Sequence, residues 1–163
     1  MNKRIFLFAA SAALVAAPAW AQTAGVKMQD LAGTWMVVSV VQTNGDGSKA
    51  DVFGKDMLGT LMMGADGQFS VLLMRKDLPK YKAPRAEANA EDAMAVTRGS
   101  LAYAGSFGVE GDSLSMVVKA STYPAWVGQT QKRKFTLKGD QLQWVGVTPV
   151  PGASVALTAK RVK

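Results

Sequence analysis

The sequence predicts an all-β fold in which eight antiparallel strands close into an up-and-down barrel, with one short helix between strands 3 and 4. Three observations predict it. Apolar and polar residues alternate in short runs over most of the chain, the period of a half-buried strand. Gly- and Asp-bearing turns separate the runs, and several are short enough to be hairpin loops, which makes neighbouring strands antiparallel. Eight such strands in one domain-sized chain form either a sandwich or a barrel, and only closure removes both exposed edges.

The domain is expected to begin after a leader. MNKRIFLFAASAALVAAPAWA, residues 1–21, has Lys3 and Arg4, an apolar run from Ile5 to Ala17, Pro18, and a small-x-small end at Ala19-Trp20-Ala21. These are the parts of a secretory signal, and the apolar run is short for a membrane span. No cysteine follows to take a lipid anchor. Residues 22–163 are therefore expected to form one periplasmic or secreted domain, with a single core. Losing the leader lowers the formal charge of +7 by two.

The first strand, 33–43, starts at Gly33-Thr34-Trp35, and alternation puts Trp35, Val37, Ser39 and Val41 on one face. A Trp at the head of that face would plug the closed end, and Gly33 would let the incoming segment cross beneath it. NGDGS, 44–48, is a turn. Strands follow at 57–64 and 68–75, joined by Ala65-Asp66-Gly67. APRAEANAEDAMAVTRG, 83–99, is the helix, with Pro84 suited to its first turn, acids at Glu87, Glu91 and Asp92, and Gly99 as its stop. The remaining strands fall at 102–109, 113–121, 130–138, 141–148 and 154–162. Their separators include Glu110-Gly111-Asp112, Lys138-Gly139-Asp140 and Pro149-Val150-Pro151-Gly152.

Two zeros exclude much chemistry. Without cysteine there is no disulfide, and packing and the hydrogen-bond ladder must stabilise the fold unaided. Without histidine as well, the usual zinc sites and His-dependent triads are absent. All twelve acidic residues fall in predicted turns, loops or the helix. Paired-carboxylate catalysis inside a barrel would need two of them to converge there, so it is disfavoured. No metal and no cofactor is expected. Met62 and Met63 are adjacent in a strand and face opposite ways, while Met74 and Met116 lie in different strands, so the nine methionines read as adaptable packing rather than a copper site.

In Gln131-Lys132-Arg133-Lys134, alternation puts Lys132 and Lys134 on the solvated face and turns Arg133 inward with Gln131, Phe135 and Leu137. No aromatic residues interleave the outer lysines, so nucleic acid is not an expected partner. An inward guanidinium among apolar groups needs a partner to offset its desolvation. That partner is either a set of loop carbonyls or the head of an anionic ligand. Trp144 shares the face of Leu142, and Tyr81, Tyr123 and Trp126 flank loops at the expected mouth. An apolar interior with a few polar groups is the usual composition of a small-molecule pocket, and an eight-stranded barrel has room for one.

The blocks LAGTW, MLGTLMMGADGQFSV, LAYAGSFGVEGDSL, YPAWVGQTQKRKFTL and GDQLQW, in this order and spacing, resemble the bacterial lipocalin-like domain family over Leu31 to Arg161. Gly33-Thr34-Trp35 resembles the Gly-x-Trp signature of lipocalins and calycins. The resemblance implies a lipocalin-like barrel, with Gly59, Gly67, Tyr103, Gly105, Pro124, Gly128 and Arg133 on recurrent positions. Members often have a histidine in the fifth strand, where this chain has Met116. The resemblance also implies that Arg161, near the chain end, packs over Trp35, giving Gly33, Trp35 and Arg161 a structural role.

The expected function is non-catalytic binding of a small hydrophobic or amphiphilic molecule inside the barrel, by Arg133, Met116, Phe135, Trp144, Tyr103, Trp126 and Met74. Two other classes remain open. One is an isomerase, cyclase or hydratase acting on an apolar substrate, for which Tyr103, Arg133 and Lys119 are the available groups. The other is a solid barrel whose basic outer face meets anionic envelope surfaces. A monomer is expected.

Overall fold

A computed structural model describes residues 25–81, 84–148 and 150–163; the leader expected at 1–21 lies outside the described residues. After a one-turn helix α1 (Met28–Leu31) come β1 (Gly33–Thr43), β2 (Lys49–Asp51), β3 (Met57–Met63) and β4 (Gln68–Arg75). Helix α2 (Ala90–Gly99) leads into β5 (Ser100–Glu110), β6 (Ser113–Ser121), β7 (Thr130–Lys138), β8 (Gln141–Val147) and β9 (Ser154–Arg161). The strands form one antiparallel sheet of nine, and β1 also pairs with β9. That pairing closes eight strands into a barrel, while β2 is a short addition hydrogen-bonded to the end of β1.

The eight expected strands are present within two residues of their expected bounds, and three features differ. Lys49–Asp51 is an added strand, a three-residue piece with no apolar alternation to betray it. It puts Asp51 in a strand, and Glu110 ends β5, although both carboxylates are exposed and neither enters the barrel. Counting β2, the helix falls between the fourth and fifth strands. It also starts later than expected. Asn89, not the region of Pro84, begins it, by accepting a hydrogen bond from the Asp92 amide, and Arg85–Glu87 is a separate 3-10 turn.

The third difference is in β1. The β1–β9 register shifts between Val37 and Ser39, a bulge that reverses the alternation after Val37. Trp35 and Val37 are buried inside, but the next buried residue is Val40 rather than Ser39 or Val41. The face expected from simple alternation is thus correct for one half of the strand only.

A second bulge, opposite Ala104 and Gly105, leaves Lys119 of β6 as the extra residue. Gly105 has ordinary backbone torsions, yet a Cβ there would overlap the Val117 carbonyl oxygen. At Gly108, three residues on, a Cβ would meet nothing within 4 Å. Gly105→Ala is therefore expected to cost roughly 1–3 kcal/mol by overpacking, and Gly108→Ala to be neutral or slightly stabilising through the unfolded chain. Urea denaturation of the two variants checks this; equal midpoints would refute it.

The core is uneven along the barrel axis. At the end where β1 begins, Leu31, Trp35, Leu61, Leu114, Met116, Phe135 and Leu142 are almost completely buried against one another. This floor is closed by α1 and the chain end. Trp35 Nε1 donates to the Leu31 carbonyl at 2.9 Å, and the Arg161 guanidinium lies 4.0 Å above the Trp35 ring. Arg161 Nη1 and Nη2 donate to the carbonyls of Ala32 and Asp30, each at 2.6 Å. Gly33, with φ +133°, passes so close beneath that a Cβ would sit 3.0 Å from Nη1. At the other end the side chains do not meet, and the barrel is hollow.

Candidate functional site

The hollow end holds a cavity of about 530 Å³. Its apolar wall is Val40 of β1, Leu73 of β4, Leu101 and Tyr103 of β5, Trp144 of β8, and Val155 and Leu157 of β9. Val52 and Phe53, after β2, and Trp126, between β6 and β7, complete it at the rim. The polar wall comes from Gln42, Thr148 and the stretch Gln129 to Arg133. Inward residues of a strand lie two apart, so β7 can aim Gln131 and Arg133 into the barrel while Lys132 and Lys134 face out. Those lysines pair with Glu110 and Asp112 on the exposed surface. The ionisable side chains that face the cavity are Tyr103 and Arg133, Lys132 lining it with its side chain turned out; no carboxylate is among the lining residues.

Tyr103 is fixed by a series of edge-to-face rings. Phe69 lies beneath it at 5.8 Å and Trp126 beside it at 5.3 Å, with Tyr123 5.6 Å further out. Pro124 opens the 3-10 turn that carries Trp126, and its fixed φ suits that first position. Burial pushes the Tyr103 hydroxyl above its ordinary pKa of 10.0, while the charge of Arg133 and a hydrogen bond with it pull part of the way back. The phenol is therefore neutral near pH 7 and keeps its proton as a donor.

Arg133 is the charged group at this wall. Its Nη2 donates to Gln131 Oε1 at 2.6 Å, but its Nε is buried and, among the described residues, has no hydrogen-bond partner. The guanidinium lies against Gly146 of β8, where a Cβ would overlap it. Gly146 is thus a slot for Arg133, and a glycine inside a strand is the sequence signal of such a close approach. Gly146 is a site residue that the sequence does not single out, and Gln131, expected on the inward face, joins the site as the partner of Arg133.

Of the seven residues expected to bind a ligand, the structure brings Arg133, Tyr103, Trp126 and Trp144 together around the cavity. Met116 and Phe135 point inward but belong to the packed floor. Met74 is on the outer face: Val71 and Leu73 are the buried members of β4, and Met74 follows with opposite parity. Lys119 is exposed, its Nζ 3.5 Å from Gln68 Oε1 on the barrel surface, and contributes nothing to the lining. Among the described residues, no group of three acidic side chains is placed to hold a metal.

A profile of the lipocalin-like domain matches residues 32–158. Comparison with curated protein sequences gives no significant match. Among solved structures, a lipocalin-like protein from Bacteroides uniformis is similar, with TM-score 0.46 and 16% identity, over 82% of this chain and 99% of that one. A variant of the fluorescent protein UnaG has TM-score 0.39 and 13% identity, over 82% and 97% of the two chains. A second UnaG variant has TM-score 0.38 and 12% identity, over 83% and 99%.

Proposed function

The chain belongs to the lipocalin-like domain family, and from that premise we propose that it is an exported, non-catalytic carrier of a small amphiphile with an acidic head. One observation carries the proposal. A cavity with a predominantly apolar wall has, on its polar side, a fixed cation, Arg133, and no carboxylate in its lining to balance it. A partly buried charge without a counter-charge costs free energy, and an acidic ligand head in the cavity would offset that cost. The neutral Tyr103 hydroxyl supports the same head as a second donor, and Trp144, Leu157 and Val40 accept the apolar tail. The cavity is within the size range of small-molecule sites. Export rests on residues 1–21, whose features are those of a secretory leader.

An apolar fluorescent probe is expected to bind one per chain and to be displaced by a long-chain carboxylic acid. The experiment is a titration of probe into folded protein, followed by competition. Absence of stoichiometric binding across a panel of apolar probes would overturn the carrier reading. Chemical conversion of the displacing compound would move the reading to an enzyme.

A further inference from the structure

A second feature lies outside the barrel, on the face opposite in parity to the cavity wall. The outward residues of five consecutive strands pair in two rungs: Met36, Thr60, Leu72 and Ala102 form one, and Thr34, Met62, Ser70, Ala104 and Ala120 the other. Leu58 and Met74 extend it by a further pair. None of these side chains is charged. Lys160, opposite Met36, and Lys119, beyond Ala104, mark its edges.

The face has relief as well as polarity. Met36, Leu58, Met62 and Leu72 are 52%, 50%, 51% and 49% exposed and form a ridge over β1, β3 and β4. Beside it, small residues of β4 to β6, including Ser70, Ala102, Ala104 and Ala120, line a groove of about 630 Å³. Large apolar side chains clustered on a solvent face are unusual in a monomer, whose surface normally scatters them singly.

We infer that this face is the interface of a homodimer, the ridge of each copy seated in the groove of the other about a twofold axis. An isologous interface requires one patch to carry both complementary shapes, and ridge and groove lie side by side here. Charge selects a second copy over other occupants. The chain is strongly cationic, and two copies meeting anywhere on its lysine-bearing surface would repel. This face is where two copies can meet without juxtaposing like charges, whereas an acidic partner would find cations only at its edges, Lys119 and Lys160, and none within it. Strand spacing and rise give it a span of roughly 19 by 14 Å between outer Cα positions, measured along the curved barrel wall. That footprint lies below the standard size of specific interfaces, so the dimer is weak. The inference does not depend on the carrier reading: Tyr103 is the one residue common to both linings, and it is buried in the barrel core.

The test is sedimentation equilibrium of the mature chain from roughly 1 to 500 μM, alone and with phosphatidylglycerol vesicles. A concentration-dependent doubling of mass is expected. Met62→Lys with Leu72→Lys should raise the dissociation constant at least about tenfold. Ala104→Lys, which blocks the groove without touching the ridge, should do the same. The latter carries the test if the double variant fails to fold. A parent that stays monomeric throughout, a dimer untouched by either folded variant, or a monomer that associates with vesicles through this face would overturn the inference.

Discussion

Replacing Arg161 by alanine is expected to lower folding stability by roughly 2–4 kcal/mol while leaving the cavity able to bind. The magnitude follows from what is lost. Two charge-assisted hydrogen bonds to the carbonyls of Ala32 and Asp30 disappear, and so does the stack on Trp35. Those carbonyls belong to the segment that closes the floor, so the incoming chain loses its tether at the same time. The ion pair with Asp140, at 3.8 Å and half exposed on the acid, adds little. Arg161→Lys should recover only part of the loss, because an ammonium cannot reach two carbonyls and stack in one plane. Urea denaturation followed by tryptophan fluorescence measures both variants. An Arg161→Ala protein within about 0.5 kcal/mol of the parent would show that the stack and its hydrogen bonds contribute no net stability.

Replacing Arg133 by leucine should have the opposite signature. Stability is expected to be unchanged or slightly raised, since the substitution removes a partly buried charge whose Nε has no partner among the described residues. Affinity for a carboxylic acid should fall about tenfold or more, equivalent to ~1.4 kcal/mol, while affinity for the matching alcohol changes little. Gly146→Ala tests the same group without removing it. The new Cβ would occupy the guanidinium slot and force Arg133 off the wall, so acid binding should fall there too. Melting and competition titrations of both variants against acid and alcohol pairs decide the matter. If Arg133→Leu binds acid and alcohol as the parent does, the guanidinium is a structural group; if it unfolds, Arg133 belongs to the folding core.

Strand order and closure were legible because alternation and hairpin turns are local signals that survive without tertiary information. Arg133 was legible for the same reason, the alternation around it being clean. The inward set of β1 was only half legible. A bulge adds one residue to one strand, and nothing in TWMVVSVV marks which residue is extra. Met74 was illegible for another reason. Val71, Leu72, Leu73 and Met74 are apolar without a break, so periodicity cannot say which pair faces in. That ambiguity has a physical origin in the uncharged outer face, which makes both sides of β4 apolar. Strand β2 carries no apolar pattern at all, and Gly146 acquires its meaning only from a side chain thirteen positions earlier.

The division of the barrel into a solid floor and a hollow upper half also bears on how such a chain can diversify. The most deeply buried side chains, Trp35, Met116, Phe135 and Leu142, lie in the floor, whereas the wall mixes core members such as Val40, Tyr103, Trp144 and Leu157 with residues outside the core, among them Gln42, Val52 and Thr148. A mutation at those outlying wall positions therefore draws on little of the stability margin that limits most sequence change. Lineages, or libraries built at those three wall positions, can explore new cargoes while the scaffold beneath stays as it is.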